Sequence, residues 1–154
     1  MEVIQRDDML LFPGKIIMDY SHAAGRVGSR FLAELKKSKR LLAIRCRTCN
    51  RVYIPPRLTC KTCFHNMEDW IELDGRGTLL TYTTVYYGEP VLDREAPTTY
   101  GIIRLDGADT GLVHFLNEVK QQDLRVGLRL EPVFKNERNG NILDIKYFRP
   151  IKSG

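Results

Sequence analysis

Four cysteines in two pairs of equal spacing constrain this chain more than any other feature. Cys46 and Cys49 form the first pair, Cys60 and Cys63 form the second, and ten residues separate the pairs. Two thiols with two residues between them can occupy one edge of a zinc tetrahedron, so two such pairs complete the coordination sphere. Asn50 directly follows the first pair and tolerates the left-handed backbone that a tight knuckle requires. The spacing therefore predicts a zinc ribbon with all four cysteines as ligands.

The number of thiols also predicts what the metal does. Four thiolates leave no open position for water or substrate, whereas a catalytic zinc retains one. A structural ion would hold together a hairpin that is too small to fold alone. Two redox pairs are the alternative, but the redox motif expects one Cys-X-X-Cys pair at the start of a helix. His65 lies close enough in sequence to replace a thiol, and we expect it at the knuckle surface instead.

The length of the chain predicts the number of domains, and its N-terminal residues predict the cellular compartment. The chain has 154 residues, 43% of them hydrophobic, which suffices for one core and predicts one domain or one domain with an appendage. No stretch approaches the ~20 consecutive apolar residues of a membrane span. The first residues, MEVIQRDDMLLF, carry acids where a signal peptide is basic. We therefore expect a cytoplasmic protein without a membrane partner, in which paired thiols stay reduced and available to metal.

The pattern of apolar residues predicts a mainly β protein. Phe31, Leu32 and Leu35 have helical spacing and predict a helix from Ser29 to Ser38. Segments rich in β-branched and aromatic residues, separated by Gly, Asn, Asp and Pro turn signals, then predict five strands: 77–87, 98–107, 110–119, 126–134 and 139–148. No helical segment among them is long enough for a parallel crossover, which favours a small antiparallel barrel of the OB type. A five-stranded sandwich and an SH3-like barrel remain alternatives.

The charge of the chain is uneven. Its formal net charge is +5, and a run without any acidic residue surrounds the cysteines. The cations of this run are Lys36, Lys37, Lys39, Arg40, Arg45, Arg47, Arg51, Arg57 and Lys61. Such a surface suits nucleic acid, a phosphorylated ligand or an acidic protein. A zinc tetrathiolate carries two net negative charges, so some of these cations would serve as its counterions.

The sequence offers little for catalysis. His22, His65 and His114 are scattered, and no cysteine is free once zinc takes four. His114 lies in an alternating strand and is a candidate acid or base, although a partly buried structural histidine is the commoner case. Gly75 and Gly77 lack the Lys-Ser/Thr and the helix of a phosphate loop. We therefore expect no catalytic site in this chain taken alone.

The order of these segments resembles a known family. After the helix come RCRTCNRVYIPPRLTCKTC, WIELDGRGTLLTYTTVY, IIRLDG, VGLRLEPVF and YFRP. This order resembles the acyl-CoA-associated zinc-ribbon and OB-fold proteins called domain of unknown function 35, over residues 27–151. The resemblance implies a rubredoxin-like zinc ribbon and a C-terminal five-stranded OB-fold barrel. It divides the chain into an N-terminal tail and helical segment (1–40), the ribbon (41–70) and the barrel (71–154).

The same resemblance implies a function. Family members assemble with thiolases, hydroxymethylglutaryl-CoA synthases or acyl-CoA hydratases, and the partner supplies the catalytic Cys and His. The implied role is a non-catalytic accessory subunit that docks a thiolase-like catalytic subunit in a hetero-oligomer and helps to bind or channel CoA thioesters. Among bacterial members the chain is similar to the small subunits of thiolases that act on benzylsuccinyl-CoA derivatives.

Coenzyme A would need cations for its phosphates. The candidates for this contact are Arg45, Arg47, Arg51 and Arg57. A flat surface for adenine or for a partner protein could come from Tyr82, Tyr86, Tyr87 and Tyr100. The competing class is nucleic-acid binding, since zinc ribbons and OB barrels both serve it. Glu89, Asp93 and Glu95 in a predicted barrel loop argue against that class.

Overall fold

The computed structural model describes residues 4–6, 8–12, 14, 16, 18–88 and 95–151 of the chain. Two short strands, β1 (Ile4–Arg6) and β2 (Met9–Leu11), pair antiparallel near the N-terminus. Helix α1 (Gly25–Ser38) follows, and the remaining described strands form two further sheets. These strands are β3 (Leu41–Arg45), β4 (Val52–Tyr53), β5 (Asp69–Leu73), β6 (Gly77–Val85), β7 (Thr98–Leu105), β8 (Gly111–Leu116), β9 (Arg129–Phe134) and β10 (Ile145–Pro150).

Five strands close into a barrel. Its order is β6-β7-β8-β10-β9 and back to β6, with β8 and β10 parallel and the other neighbours antiparallel. A closed five-stranded barrel of this connectivity is an OB fold. The prediction of a mainly β protein with an N-terminal helix and an OB-fold barrel is confirmed, and the sandwich and SH3-like alternatives are wrong.

Strand β7 shows how the sequence specifies the barrel interior. Gly101, Ile103 and Leu105 are buried, while Ile102 and Arg104 between them face outwards. This alternation is the period of two that places every second side chain in the core. A Cβ atom at position 101 would lie 2.6 Å from Leu79 Cδ1, so a larger residue there would force the Leu79 side chain to move.

The ribbon has its own small sheet, in which β3 lies between β4 and β5 and is antiparallel to both. Pairing of β3 with β5 extends from Arg45 opposite Asp69 to Leu41 opposite Leu73. Strand β5 then leads through a turn into β6, the first strand of the barrel. The ribbon sheet and the barrel are therefore consecutive along one continuous path.

Helix α1 begins earlier than its sequence predicts. The structure starts the helix at Gly25 and places Ser29, the expected N-cap, within it. Gly25 and Gly28 are weak helix formers, which is why the pattern did not extend to them. The Arg30 guanidinium lies 4.5 Å from the centre of the Trp70 ring, so this part of the helix packs against the ribbon. The predicted end at Ser38 is confirmed, with Lys39 in the left-handed conformation.

One buried cluster unites the helix, the ribbon sheet and the barrel. It includes Phe31 and Leu35 from α1, Leu42 from β3, and Ile103 and Phe148 from the barrel. In the part of the chain that the structure describes, no helix has the length and hydrophobicity that a bilayer span needs.

Hydrogen bonds also join the ribbon to the barrel. The Val52 N–H donates to Asp109 Oδ2 at 2.8 Å, and the Asp109 N–H donates to the Val52 carbonyl at 2.9 Å. The Thr110 hydroxyl accepts from the Ile54 N–H and donates to the Ile54 carbonyl, both at 2.8 Å. The turn between β7 and β8 thus satisfies the outer edge of β4, which would otherwise be an unpaired strand edge.

The loop between β9 and β10 holds the end of α1. Arg138 Nε donates to the Lys36 carbonyl at 2.7 Å, in the last turn of the helix. Within the loop the buried Asp144 carboxylate accepts from the Asn139 N–H at 2.9 Å and from the Gly140 N–H at 2.7 Å. Because Asp144 folds these residues into a turn, β10 begins at Ile145 and not at residue 139, where the prediction placed it.

Candidate metal centre and adjoining arginines

The four predicted thiols meet at one point. The Sγ atoms of Cys46, Cys49, Cys60 and Cys63 all lie within 4.8 Å of one another, and those of Cys49 and Cys60 are 3.7 Å apart. Zn–S bonds of about 2.3 Å at tetrahedral angles place sulfurs about 3.8 Å apart. The four thiols are therefore arranged to bind one metal ion, and their softness and geometry fit zinc.

Each pair of cysteines is held in a knuckle of the same shape. The Cys46 N–H donates to the Arg51 carbonyl at 2.8 Å, and the Cys60 N–H donates to the His65 carbonyl at 3.0 Å. The residue after each second cysteine is left-handed, with φ of 56° at Asn50 and 58° at Phe64. The expectation for Asn50 is confirmed. Phe64 gives no such signal in the sequence, because aromatic residues rarely adopt this conformation.

The cluster favours a thiolate at one position in particular. The buried Tyr53 hydroxyl lies 3.2 Å from Cys60 Sγ, and the Thr62 N–H lies 3.4 Å from the same sulfur. The Tyr53 hydrogen bond lowers the pKa of Cys60 to about 5, against the opposing effect of burial. A hydrogen bond with Cys49, together with burial, raises the pKa of Cys63 to about 12 and so opposes a second thiolate there. A divalent cation would remove this conflict by stabilising all four thiolates.

Two histidines from the sequence analysis are placed by the structure. His65 is exposed and stands outside the group of metal-competent thiols. His114 is 4% exposed, and its Nδ1 accepts from the Phe115 N–H at 2.9 Å. Nε2 therefore carries the proton and donates to the Ile142 carbonyl at 3.2 Å. Both ring nitrogens of His114 serve the barrel fold.

The four arginines proposed for CoA do not form one group. All four are exposed. Arg45 and Arg47 line a cavity of about 170 Å³ beside the first knuckle, together with His65, which we call the knuckle pocket. Arg57 does not line this pocket, and its guanidinium lies 5.5 Å from the centre of the Tyr53 ring. Arg51 is adjacent to the start of β4.

A second cavity lined by cations was not predicted from the sequence. We call it the α1–ribbon groove, and it consists of two adjoining cavities of about 250 and 260 Å³ that share Arg26, Val27 and Leu58. Arg30 and Trp70 line the first cavity, and Arg57 lines the second. Arg26 and Arg30 lie outside the run of cations around the cysteines, so only the folded helix brings them beside Arg57.

The four tyrosines are also spread over the barrel. The Tyr82 hydroxyl donates to the Leu124 carbonyl at 3.0 Å, and the Tyr100 ring lies 4.9 Å from the Phe115 ring. Tyr86 and Tyr87 are exposed. Near them a cavity of about 370 Å³ is lined by Thr84, Glu95, Thr99, Phe115, Gln121 and others. Of these four tyrosines, Tyr86 and Tyr87 have the most exposed side chains.

Comparison with known proteins identifies this combination of domains. Residues 33–68 match the rubredoxin-like zinc ribbon domain of ChsH2, and residues 70–135 match the C-terminal OB-fold domain of ChsH2. The chain belongs to the DUF35 family. A DUF35 domain-containing scaffold protein of Methanocaldococcus jannaschii is 28% identical over 124 residues, which are 77% of this chain and 87% of the relative.

Solved structures of DUF35 proteins share the fold. One, described as an Ltp2-ChsH2(DUF35) aldolase, has a TM-score of 0.63 and 22% identity, and the match covers 84% of this chain and 98% of that one. A DUF35 protein of unknown function from Sulfolobus solfataricus has a TM-score of 0.57 and 24% identity, over 71% of this chain and 78% of that one. The family resemblance inferred from sequence is confirmed.

Proposed function

We propose that this DUF35 protein is a non-catalytic accessory subunit of a thiolase-like acyl-CoA enzyme in the cytoplasm. The observation that carries the proposal is the match to both ChsH2 domains, over residues 33–68 and 70–135. A ChsH2(DUF35) chain is named together with Ltp2 in an aldolase, and the relative from Methanocaldococcus jannaschii is called a scaffold protein. Both descriptions favour a role in assembly.

The chemistry of the described residues is consistent with a partner that performs catalysis. The metal centre has four thiols and would leave no position for substrate. His114 uses both ring nitrogens for hydrogen bonds within the barrel. A subunit of this kind would contribute binding surface and order, while the reacting groups would come from the other chain.

The cations of the ribbon support a role with CoA thioesters. Within the described residues, none of the CoA candidates Arg45, Arg47, Arg51 and Arg57 forms an ion pair with a carboxylate. By contrast, Arg40 pairs with Glu34 and Glu72. Guanidinium groups left without a carboxylate are suited to phosphate, which they bind by paired hydrogen bonds. A thioester of CoA bound partly by this chain would have its acyl end in the catalytic subunit.

Co-expression with genomic neighbours tests the proposal. We expect a thiolase-like protein to co-elute with this chain in size-exclusion chromatography and to lose most of its acyl-CoA turnover when this chain is omitted. The pure single chain should show no turnover of a CoA thioester. If the chain elutes alone and leaves the neighbouring thiolase unchanged, the proposal fails. The acyl group, including the benzylsuccinyl type, would follow from the substrates that the complex turns over.

The same arginines, which form no ion pair within the described part of the chain, and the OB barrel favour one other candidate, a nucleic-acid-binding protein. Such binding would weaken steeply with salt, because each phosphate contact releases a counterion. Fluorescence anisotropy with single-stranded DNA and RNA at low and high salt distinguishes the two. We expect no saturable binding at low salt.

A further inference from the structure

The α1–ribbon groove combines a cationic rim with apolar walls. Arg26, Arg30 and Arg57 line its two cavities, of about 250 and 260 Å³, and Leu58 and Trp70 supply apolar surface. The two cavities share Arg26, Val27 and Leu58, so they adjoin and form an elongated space. A ligand that fills it must be extended and must carry negative charge at one end or along its length.

Aromatic rings hold two of these arginines in place. Arg30 lies 4.5 Å from the centre of the Trp70 ring, and Arg57 lies 5.5 Å from the centre of the Tyr53 ring. Stacking restricts the guanidinium while leaving its N–H groups available to an anion. Tyr53 is itself fixed by its contact with Cys60 Sγ at 3.2 Å, so the metal centre indirectly positions Arg57.

The charge of the groove favours an anion. Glu68 also lines it, and against this single carboxylate stand three guanidinium groups. The knuckle pocket is smaller, with a volume of about 170 Å³, and Arg45, Arg47, Thr48, Asn66 and the same Glu68 line it. That pocket can accept a phosphate group, but of these two sites the larger groove is the better fit for an extended ligand with an apolar portion.

We propose that the α1–ribbon groove binds the pantetheine and diphosphate portions of a CoA thioester, with Arg26 and Arg57 on the diphosphate. This inference rests on the proposed function and changes the site, because it assigns CoA to the groove and not to the knuckle pocket. The phosphate end contacts the guanidinium groups, and the pantetheine chain lies along Leu58 and Trp70. The thioester then projects from the groove towards the catalytic subunit.

The single tryptophan of the chain provides the assay. Trp70 lines the groove, so the emission of the full-length protein reports on ligand there. We expect a saturable change in emission with CoA and no saturable change with inorganic phosphate alone. Pantetheine, which lacks phosphate, should bind at least about tenfold more weakly than CoA, because charge-assisted hydrogen bonds are lost.

Two matched double variants locate the site. Arg26→Ala with Arg57→Ala should raise the Kd for CoA at least about tenfold, because two charged contacts are lost. Arg104→Ala with Arg125→Ala removes the same charge from exposed positions of the barrel that line neither cavity of the groove, and it should change the Kd less than about twofold. Equal weakening by both pairs, or a larger effect of the second pair, overturns the proposal. Circular dichroism and zinc content should match the wild type in both.

A further variant keeps the proposal testable if the first pair disturbs folding. Leu58→Glu places a carboxylate where the two cavities of the groove adjoin, at a position 45% exposed, and should raise the Kd for CoA at least about tenfold, whereas an unchanged or lower Kd contradicts the assignment. Co-elution with the catalytic subunit separates the two proposals. A complex that forms while Trp70 fails to respond to CoA overturns the groove alone, and a response to CoA in a chain without a partner overturns the accessory role alone.

Discussion

The zinc ribbon and the barrel are stabilised by different means. Buried residues around the metal centre are few, namely Ile44, Cys46, Tyr53, Cys60 and Met67, and two of these are metal ligands. The barrel interior is a continuous apolar cluster that also takes in α1 and the ribbon sheet. With so small a core the ribbon would depend on a bound ion, whereas the barrel distributes its stability over many side chains. Each region should consequently fail in its own way.

Loss of a metal ligand should have the largest effect. Cys60→Ser should abolish zinc binding and unfold the knuckles, since structural zinc contributes on the order of 10 kcal/mol to the folding of such sites. Elemental analysis measures the metal, and amide hydrogen exchange should show lost protection at Cys46 while Leu79 in the barrel stays protected. Thr48→Ser, at an exposed position of the first knuckle, should keep one zinc per chain. Unchanged metal content in Cys60→Ser would contradict the ligand set.

A cavity in the barrel should have the next largest effect. Phe148 is fully buried, with 0% exposure, so Phe148→Ala should lower the free energy of unfolding by about 3–5 kcal/mol. Chemical denaturation measures this loss, and the native protein should still bind one zinc. Val113→Ala, at a position 60% exposed on the same barrel, should change the free energy of unfolding by less than about 0.5 kcal/mol. Loss of zinc from native Phe148→Ala would show that the two regions are not independent.

Loss of a hydrogen bond at the junction between the ribbon and the barrel should have the third largest effect. Thr110→Val keeps the shape of the side chain but removes the hydroxyl that bonds both the N–H and the carbonyl of Ile54. We expect a loss of about 1–3 kcal/mol in the free energy of unfolding, because these groups become unsatisfied. Thr84→Val, which removes a 3.0 Å contact with Thr99 in the barrel, is the control and should lower the free energy of unfolding by a smaller amount. Equal losses would mean that the junction is not special.

The smallest effect should come from the hydroxyl near the metal. Tyr53→Phe removes the contact with Cys60 Sγ and keeps the ring under Arg57, so zinc affinity should fall about tenfold. Competition with a chromophoric chelator measures it. Tyr82→Phe removes a hydroxyl that bonds the Leu124 carbonyl in the barrel and should leave zinc affinity unchanged. If Tyr53→Phe binds zinc as tightly as the wild type, the Tyr53 hydroxyl does not contribute to zinc affinity.

The sequence predicted local features well. The set of four cysteines that could hold zinc follows from spacing, because each knuckle involves only neighbouring residues. The barrel strands follow from the alternation of apolar residues, as in β7. Helix α1 was predicted too short, because the contact of Arg30 with Trp70 that accompanies its first turns joins residues far apart in the chain.

Features that depend on distant residues escaped prediction. Val52 and Asp109 are 57 positions apart, and nothing in either neighbourhood indicates that they bond. The distribution of the arginines between cavities was also not predicted, since Arg45 and Arg57 belong to one run of cations in sequence but line different cavities. The face of the ribbon on which a charged side chain lies is determined by the fold of the hairpin, which the local sequence does not indicate.

The hold of the β9–β10 loop on α1 has a consequence for evolution. Arg138 donates to the Lys36 carbonyl, and Asp144 fixes the course of the loop residues that follow Arg138 by accepting from the N–H groups of Asn139 and Gly140. An insertion or deletion in this loop would release the last turn of the helix, so its length should be tightly constrained among functional homologues. Grafting the ribbon onto another OB barrel would therefore require transplanting this loop as well.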